Sequence, residues 1–249
     1  MVEPLFKFEF ATAPEVGQVL LLEGAEGKHA ASVRRMRVGE AVVLCDGRGV
    51  KAHGEVSQVL SKGISVTVER VSTEPPPEVR LRLVQALAKG DRDELAIQAA
   101  TELGVSLVTP WQADRSVSRW DASKATKGRE RWQSICDEAA KQSLRAHFPS
   151  VEAVVTSDEL SAAIEQGLFG QVIVLDPTAD QGLATALESL ATSELTFIVG
   201  PEGGLSPAEL EGFTRARAIR VHMGADILRT STAGLVALAV TNAKLGIYR

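Results

Sequence analysis

The sequence predicts an α/β protein in two parts: a small β-rich unit, then a parallel sheet with helices on both faces. Three observations carry this. From residue 79 onward, short apolar runs rich in β-branched residues alternate with amphipathic stretches of helix length. The first 73 residues instead hold five strand-length runs punctuated by glycine. Between the two lies Thr73-Glu74-Pro75-Pro76-Pro77-Glu78. Consecutive prolines continue neither a ladder nor a helix and favour extended polyproline geometry. The boundary is placed there, giving domains 1–73 and 74–249.

In the first part, strands are expected at 5–10, 19–22, 41–46, 50–56 and 64–71, separated by Gly17, Gly39, Asp46-Gly47, Gly49 and Gly63. That spacing suggests a small barrel. One helix is expected near 27–36, a stretch that gathers Lys28, His29, Arg34, Arg35 and Arg37. A solvated helix face carries such charges. So does a face that contacts phosphate, because Arg grips phosphate bidentately.

In the second part, strands are expected at 79–87, 105–110, 151–155, 171–176, 195–199 and 219–223. Helices are expected at 92–103, closed by Gly104, and at 157–166 and 178–191. A longer one at 123–142 sets Trp132, Ile135, Cys136, Ala139 and Ala140 on one side. The stretch 195–239 organises the rest. Its first strand breaks into Gly200-Pro201-Glu202-Gly203-Gly204. Ser206 as N-cap, Pro207 at N1 and Glu209 at N3 then form a capping box. After the strand at 219–223 comes the loop 224–230 and a last helix, capped by Ser231 or Thr232, with Leu235, Val236, Leu238 and Ala239 on its apolar face. Loops at the carboxyl ends of strands are where an open α/β sheet binds its ligand. A dinucleotide fingerprint would need its glycines after the first strand, but only Gly90 is there, and no GxxxxGK[ST] occurs.

Composition sets outer bounds. The chain has 249 residues, 45% hydrophobic and 24% charged, the profile of a globular protein. No apolar run approaches the ~20 residues that span a bilayer, and MVEPLFKFEF lacks a signal-peptide core, so a cytoplasmic protein is expected. Cys45 and Cys136 sit in no CxxC pattern and are expected as free thiols. His29, His53, His147 and His222 show no metal-ligand spacing, so no metal site is expected. The net charge of −5 is unevenly spread: 146–214 holds eleven acids and no Lys or Arg, leaving 27 basic and 21 acidic residues elsewhere. A local basic face is all that phosphate contact requires.

The glycine loop GPEGG, paired with the downstream MGADILRTSTA, resembles the cofactor-binding half of the SPOUT methyltransferases. Within them, the chain resembles the RsmE family, which methylates N3 of a uridine in 16S ribosomal RNA. Further motifs follow the family's order: LAKGDRDELAIQAATELGV, TPWQADRSV and RWQSICDEAAKQSLRAHFPSV. HAASVRRMR followed by DGRG resembles its N-terminal PUA-like domain. Two residues depart from the family pattern: Ala99 stands where a lysine is usual, and Ser231 where a glutamate is usual.

The resemblance implies a PUA-like β-barrel domain that binds RNA, followed by a SPOUT domain with a C-terminal trefoil knot. It implies S-adenosyl-L-methionine as methyl donor, 16S rRNA in the small ribosomal subunit as substrate, and a homodimer. The cofactor contacts it assigns are Leu175, Gly200, Glu202, Gly203, Gly204, Met223, Ile227, Leu228 and Thr232. Uracil N3 is a poor nucleophile until its proton leaves, so a cation beside it would stabilise the developing anion. Arg229 is assigned that role, and Arg115 and Arg145 are assigned to hold the flipped uridine or its phosphate. Phosphate contacts are assigned to Arg34, Arg35, Arg37, Lys89, Arg92, Lys141 and Arg145. Two other readings stand beside this one: an RNA-binding factor of the same fold without turnover, and 2′-O-ribose methylation by the same scaffold.

Overall fold

The computed structural model describes residues 3–188 and 192–247. These fall into two compact units. The first is 1–76 together with 140–148; the second is 77–139 with 149–249. The break after Pro76 lies in the proline linker, but the first unit also takes in a segment from the middle of the chain. A division into two consecutive stretches at 73/74 does not include that segment.

In the first unit, β1 (Leu5–Lys7), β3 (Ala41–Cys45), β4 (Val50–Leu60), β5 (Gly63–Thr73) and β2 (Val19–Leu22) form one sheet in that spatial order. β1 runs parallel to β3 and the other pairings are antiparallel. Phe6 from one edge strand and Leu20 and Leu22 from the other share a core with Leu44, Val56, Ile64 and Val66. The sheet is therefore curled, as the expected barrel requires. In place of a single helix at 27–36, α1 (Gly24–Lys28) runs into one π-type turn, His29–Val33. The segment 140–148 is tied to this unit by polar contacts. Lys51 Nζ donates to the Leu144 carbonyl at 2.8 Å, and His147 Nε2 lies 2.9 Å from the Glu74 carbonyl. Cys45 and Cys136 are both free and buried, as expected.

In the second unit, seven strands form a sheet in which every pairing is parallel. Its order is β12 (Ile219–Val221), β10 (Gln171–Leu175), β11 (Glu194–Val199), β6 (Arg80–Ala86), β7 (Leu107–Gln112) and β8 (Ser150–Val151), with β9 (Val155–Thr156) also on β7. The strand expected at 151–155 is thus two short pieces. Successive side chains of β6 serve opposite faces, as strand geometry dictates. Leu81 and Leu83 join Ile97, Trp132, Cys136, Phe197, Ala237 and Leu238 in one core. Val84 and Ala86 join Trp111, Leu160, Ile198 and Phe213 in the other. The first core is covered by α2 (Arg92–Glu102), α3 (Ala122–Gln142), α5 (Leu183–Glu188) and α7 (Thr230–Lys244), and the second by α4 (Ser157–Glu165) and α6 (Pro207–Arg215).

α5 begins at Leu183, five residues later than the helix expected at 178–191, and 189–191 lie outside the described residues. The cause is local: Asp176 accepts the Thr178 backbone N–H and hydroxyl, both at 2.9 Å, closing a turn that competes with helix. α7 begins one to two residues before the expected caps. Arg229 is its N-cap and makes no side-chain capping bond.

Arg82 of β6 lies on the same face as Val84 and Ala86 and is 5% exposed. Its guanidinium pairs with Glu194 at 2.8 Å and with Glu152, and lies 4.3 Å from the Phe169 ring centre. Removing one partner of a buried pair leaves an uncompensated charge and costs about 3–5 kcal/mol. Glu194→Ala leaves Arg82 with Glu152 alone and is therefore expected to lower the unfolding free energy by up to about that much, read as a lower urea midpoint with an unchanged m-value, whereas Arg82→Met is milder. Equal losses in the two variants would show that packing, not charge, dominates there.

Candidate active site

Because β12, β10, β11, β6 and β7 are neighbours and parallel, their carboxyl ends share one edge of the sheet. The loops that leave them surround a cavity of about 490 Å3. β10 contributes Leu175-Asp176-Pro177-Thr178, β11 contributes Val199 to Leu205, and the loop after β12 contributes Ile227, Leu228 and Arg229. Arg92 and Arg115 reach it from the loops after β6 and β7. Its walls are largely apolar: Leu175, Val199, Leu205, Leu210, Leu228 and Ala233.

Each loop is held by a specific contact. The capping box expected at the start of α6 is present: Glu209 N–H donates to Ser206 Oγ at 3.1 Å, and Ser206 N–H donates to Glu209 at 2.7 Å. The other Glu209 oxygen accepts from Asp114 N–H and from the Ser157 hydroxyl, both at 2.7 Å. One buried carboxylate therefore joins α6, α4 and the loop after β7. Arg115 Nη1 donates to the carbonyls of Gly203 and Leu205, both at 3.1 Å, so it braces the glycine loop as well as lining the cavity. Gly204 has φ +72, a conformation that asks for glycine there. Thr230, at the first turn of α7, donates its hydroxyl to the Gly200 carbonyl at 2.8 Å and accepts from Gln85 Nε2 at 2.9 Å.

Two carboxylates face this region. Burial raises the Asp176 pKa, but the Thr178 N–H and hydroxyl and the Arg220 guanidinium outweigh it and hold the carboxyl below its ordinary range. Glu202 is likewise raised by burial but held low overall by backbone N–H bonds and by Arg92, whose Nη1 donates to it at 2.9 Å. Glu202 is thus kept ionised, which suits pairing with a cation better than accepting a proton.

Of the residues expected from the sequence, Leu175, Gly200, Glu202, Gly204, Ile227, Leu228, Arg229, Arg115 and Arg92 line the cavity. Met223 lines a small adjoining recess of about 60 Å3 with Leu175 and Leu228. Gly203 contributes its carbonyl to Arg115. Thr232 is exposed and lines neither space. Lys89 is exposed, and its backbone N–H bonds Glu202 at 3.2 Å. Arg34, Arg35 and Arg37 are exposed in the first unit, with Arg35 at φ +54. Arg145 is half-buried there. Lys141 is buried and paired with Glu26 at 2.6 Å, so its ammonium is spent within the fold rather than offered to phosphate.

Asp176, Pro177, Thr178, Thr230 and Gln85 were not singled out from the sequence. The signal for the first three was present: Asp-Pro directly after a buried strand is a turn marker at a carboxyl end.

Residues 75–242 match the RNA methyltransferase domain family, and 22–69 match the RNA methyltransferase PUA domain family. The ribosomal RNA small subunit methyltransferase E of Mycobacterium bovis is 41% identical over 96% of this chain and 90% of its own length. The chain belongs to the small-subunit ribosomal RNA methyltransferase E family. The Bacillus subtilis member is 33% identical over 92% of this chain and 91% of its own. The crystal structure of the Neisseria gonorrhoeae member, bound to S-adenosyl methionine, superposes with a TM-score of 0.83 at 25% identity, covering 98% of both chains. The doubly covered parallel sheet and the curled β-rich unit are thus the SPOUT methyltransferase domain and PUA-like domain of this methyltransferase E family.

The Asp176–Arg220 pair, at 2.6 Å, gives the site a pH signature. Because the folded carboxyl titrates below the unfolded one, it adds stability that is present above the unfolded pKa of about 4 and fades as pH falls through the lower folded value. Asp176→Asn is expected to unfold at lower urea than wild type at pH 7, with the gap closing as pH drops below about 4. A gap constant with pH would assign the effect to hydrogen bonding alone.

Proposed function

We propose that this methyltransferase transfers the methyl group of S-adenosyl-L-methionine to N3 of a uridine in 16S rRNA of the small ribosomal subunit. The observation that carries it is the cavity, where two strand-end loops close beside Arg115 and Arg229. Its volume falls within the roughly 300–1,000 Å3 of small-molecule sites. Its chemistry fits the cofactor: apolar walls for an adenine, backbone groups of 200–204 for hydrogen bonds, and the ionised Asp176 and Glu202 for a molecule carrying an ammonium and a sulfonium. When bound, the cofactor supplies an electrophilic methyl group.

The chain's residues then have separate tasks. Leu175, Gly200, Gly204, Ile227 and Leu228 hold the donor, and Gly203 and Arg115 keep the glycine loop in shape. Arg229 faces the cavity from the N-cap of α7 and would stabilise the negative charge on the uracil as its N3 proton leaves. The exposed Arg34, Arg35 and Arg37 of the PUA-like unit, with Lys89 and Arg92, contact phosphate. After β12, at the sheet's edge, the chain returns inward to lay α7 over β6 and β11; we read this crossing as the family's trefoil knot. The enzyme acts in the cytoplasm as a homodimer. No helix among the described residues is long and apolar enough to cross a membrane.

Small subunits from cells lacking this methylation, incubated with enzyme and S-adenosylmethionine, are expected to yield 3-methyluridine in 16S rRNA by nucleoside mass spectrometry. A 2′-O-methylated product would keep the fold and overturn the target. Cofactor binding without any product would favour an RNA-binding factor. Arg229→Ala is expected to keep its circular dichroism and cofactor Kd while losing about 10²–10³ in kcat. Undiminished turnover in that variant would remove Arg229 from the chemistry.

A further inference from the structure

Outside the cavity, the second unit carries a shallow groove lined by Arg119, Trp120, Lys124, Lys127, Gly128 and Arg131. Three features of its construction run against the preferences of a plain solvated helix. Gly128 lies inside α3, where glycine costs about 1 kcal/mol relative to Ala. A Cβ there would come within 2.6 Å of the Trp120 ring, so the glycine makes the slot in which the indole lies. Lys124 lies in the first turn of α3, where the helix dipole disfavours a cation; the acid at that end is Asp121, just before the helix, which accepts the Ser123 and Lys124 backbone N–H groups at 3.0 Å. Lys124 and Lys127 are exposed and sit on one face, three residues apart. Lys124 has only a loose, exposed contact with Asp121 at 3.5 Å, and Lys127 has no charged partner among the described residues.

Trp120 is fixed as well as placed. Its ring meets Trp132 edge-on at 5.1 Å, and its backbone N–H donates to Gln112 at 2.9 Å, yet it stays half-exposed in the groove. The groove also adjoins the cavity through two elements. The loop after β7 holds Arg115 at the cavity and Arg119 and Trp120 at the groove. The start of α2 holds Arg92 at the cavity and Glu94, which pairs with Arg131 of the groove.

We infer that this groove binds single-stranded RNA, stacking a base on Trp120 and setting phosphates against Arg119, Lys124 and Lys127. An aromatic platform beside a basic track is the arrangement that holds single strands without sequence preference, each stacked base adding about 1–3 kcal/mol. Arg131 is already engaged by Glu94 and serves as the groove's wall. The inference deepens the proposed function by giving the strand that flanks the target base a path on the methyltransferase unit itself.

Trp111 and Trp132 are buried at 0% and 1%, so a change in tryptophan emission on binding reports Trp120. Full-length enzyme titrated with a mixed-sequence single-stranded RNA oligonucleotide is expected to lose fluorescence, and Trp120→Phe to lose the response. K124E/K127E removes two phosphate contacts from exposed helix positions. Its RNA affinity should fall about tenfold, and the slope of log K against log salt should flatten by about 1.4. KM for small subunits should rise with kcat and cofactor Kd unchanged, and K124R/K127R should restore it. Wild-type affinity and slope in K124E/K127E, with methylation intact, would overturn the groove and leave the proposed function standing. Wild-type RNA affinity together with a changed mass in solution would also overturn it, giving the face instead to the acidic surface of a second copy. Should wild type show these RNA effects but methylate nothing, the groove stands and the proposed function falls.

Discussion

The Thr230 hydroxyl accepts from Gln85 at the end of β6 and donates to the Gly200 carbonyl at the end of β11, and the cavity depends on that pair of bonds. The loops after β11 and β12 share no ladder with each other. What sets their separation is a buried chain of polar groups running from a central strand, through the first turn of α7, to the glycine loop. On the other side of the cavity, Arg115 grips two carbonyls of the same loop and Glu202 joins it to Arg92. Contacts in a buried, low-dielectric setting are stronger than in water and polarise one another. A loop braced on both sides has less conformational freedom to lose when it closes on a ligand, which is how preorganisation raises affinity.

Much of this was legible because the signals were local. The run at 195–199, the three glycines and the Ser206-Pro207-Glu209 capping box each act within a few residues, and each was found where expected. The cavity walls could be named for the same reason: loops at the carboxyl ends of parallel strands converge wherever the strands are neighbours. The missed features depend on distant partners. Thr230 read as the last residue of the loop 224–230, yet its hydroxyl is taken by a carbonyl thirty residues earlier. Lys141 read as a phosphate contact, but its partner Glu26 lies 115 residues away. Nothing within 140–148 announces that it belongs with the first unit. Asp176 was hidden differently, by extending a helical pattern across a turn its own side chain closes.

The uneven charge of the sequence finds an explanation in the fold. The acidic stretch 146–214 does not face solvent as a block. Glu152 and Glu194 neutralise Arg82, Glu202 pairs with Arg92, and Asp176 pairs with Arg220, all cations from outside that stretch. Glu209 spends its charge on N–H and hydroxyl donors. Five of the eleven acids are thus spent inside the second unit, on strands and on loops around the cavity, while Asp158, Glu159, Glu165, Asp180, Glu188 and Glu211 stay exposed.

The placement of α7 has a consequence for how this enzyme is made. The strands that flank the cavity come from residues 80–86, 171–175 and 194–199, and the helix that locks their loops, 230–244, follows all of them in sequence. Pairings between residues so far apart form late and slowly. Thr230 reaches Gly200 only after residues 230–244 have been made and have crossed back over the sheet. A nascent chain can therefore pair the β-rich strands of residues 5–73 early, while the cavity stays unformed until α7 is in place. The cavity is thus among the last features of the second unit to take shape, after the sheet on which its loops stand.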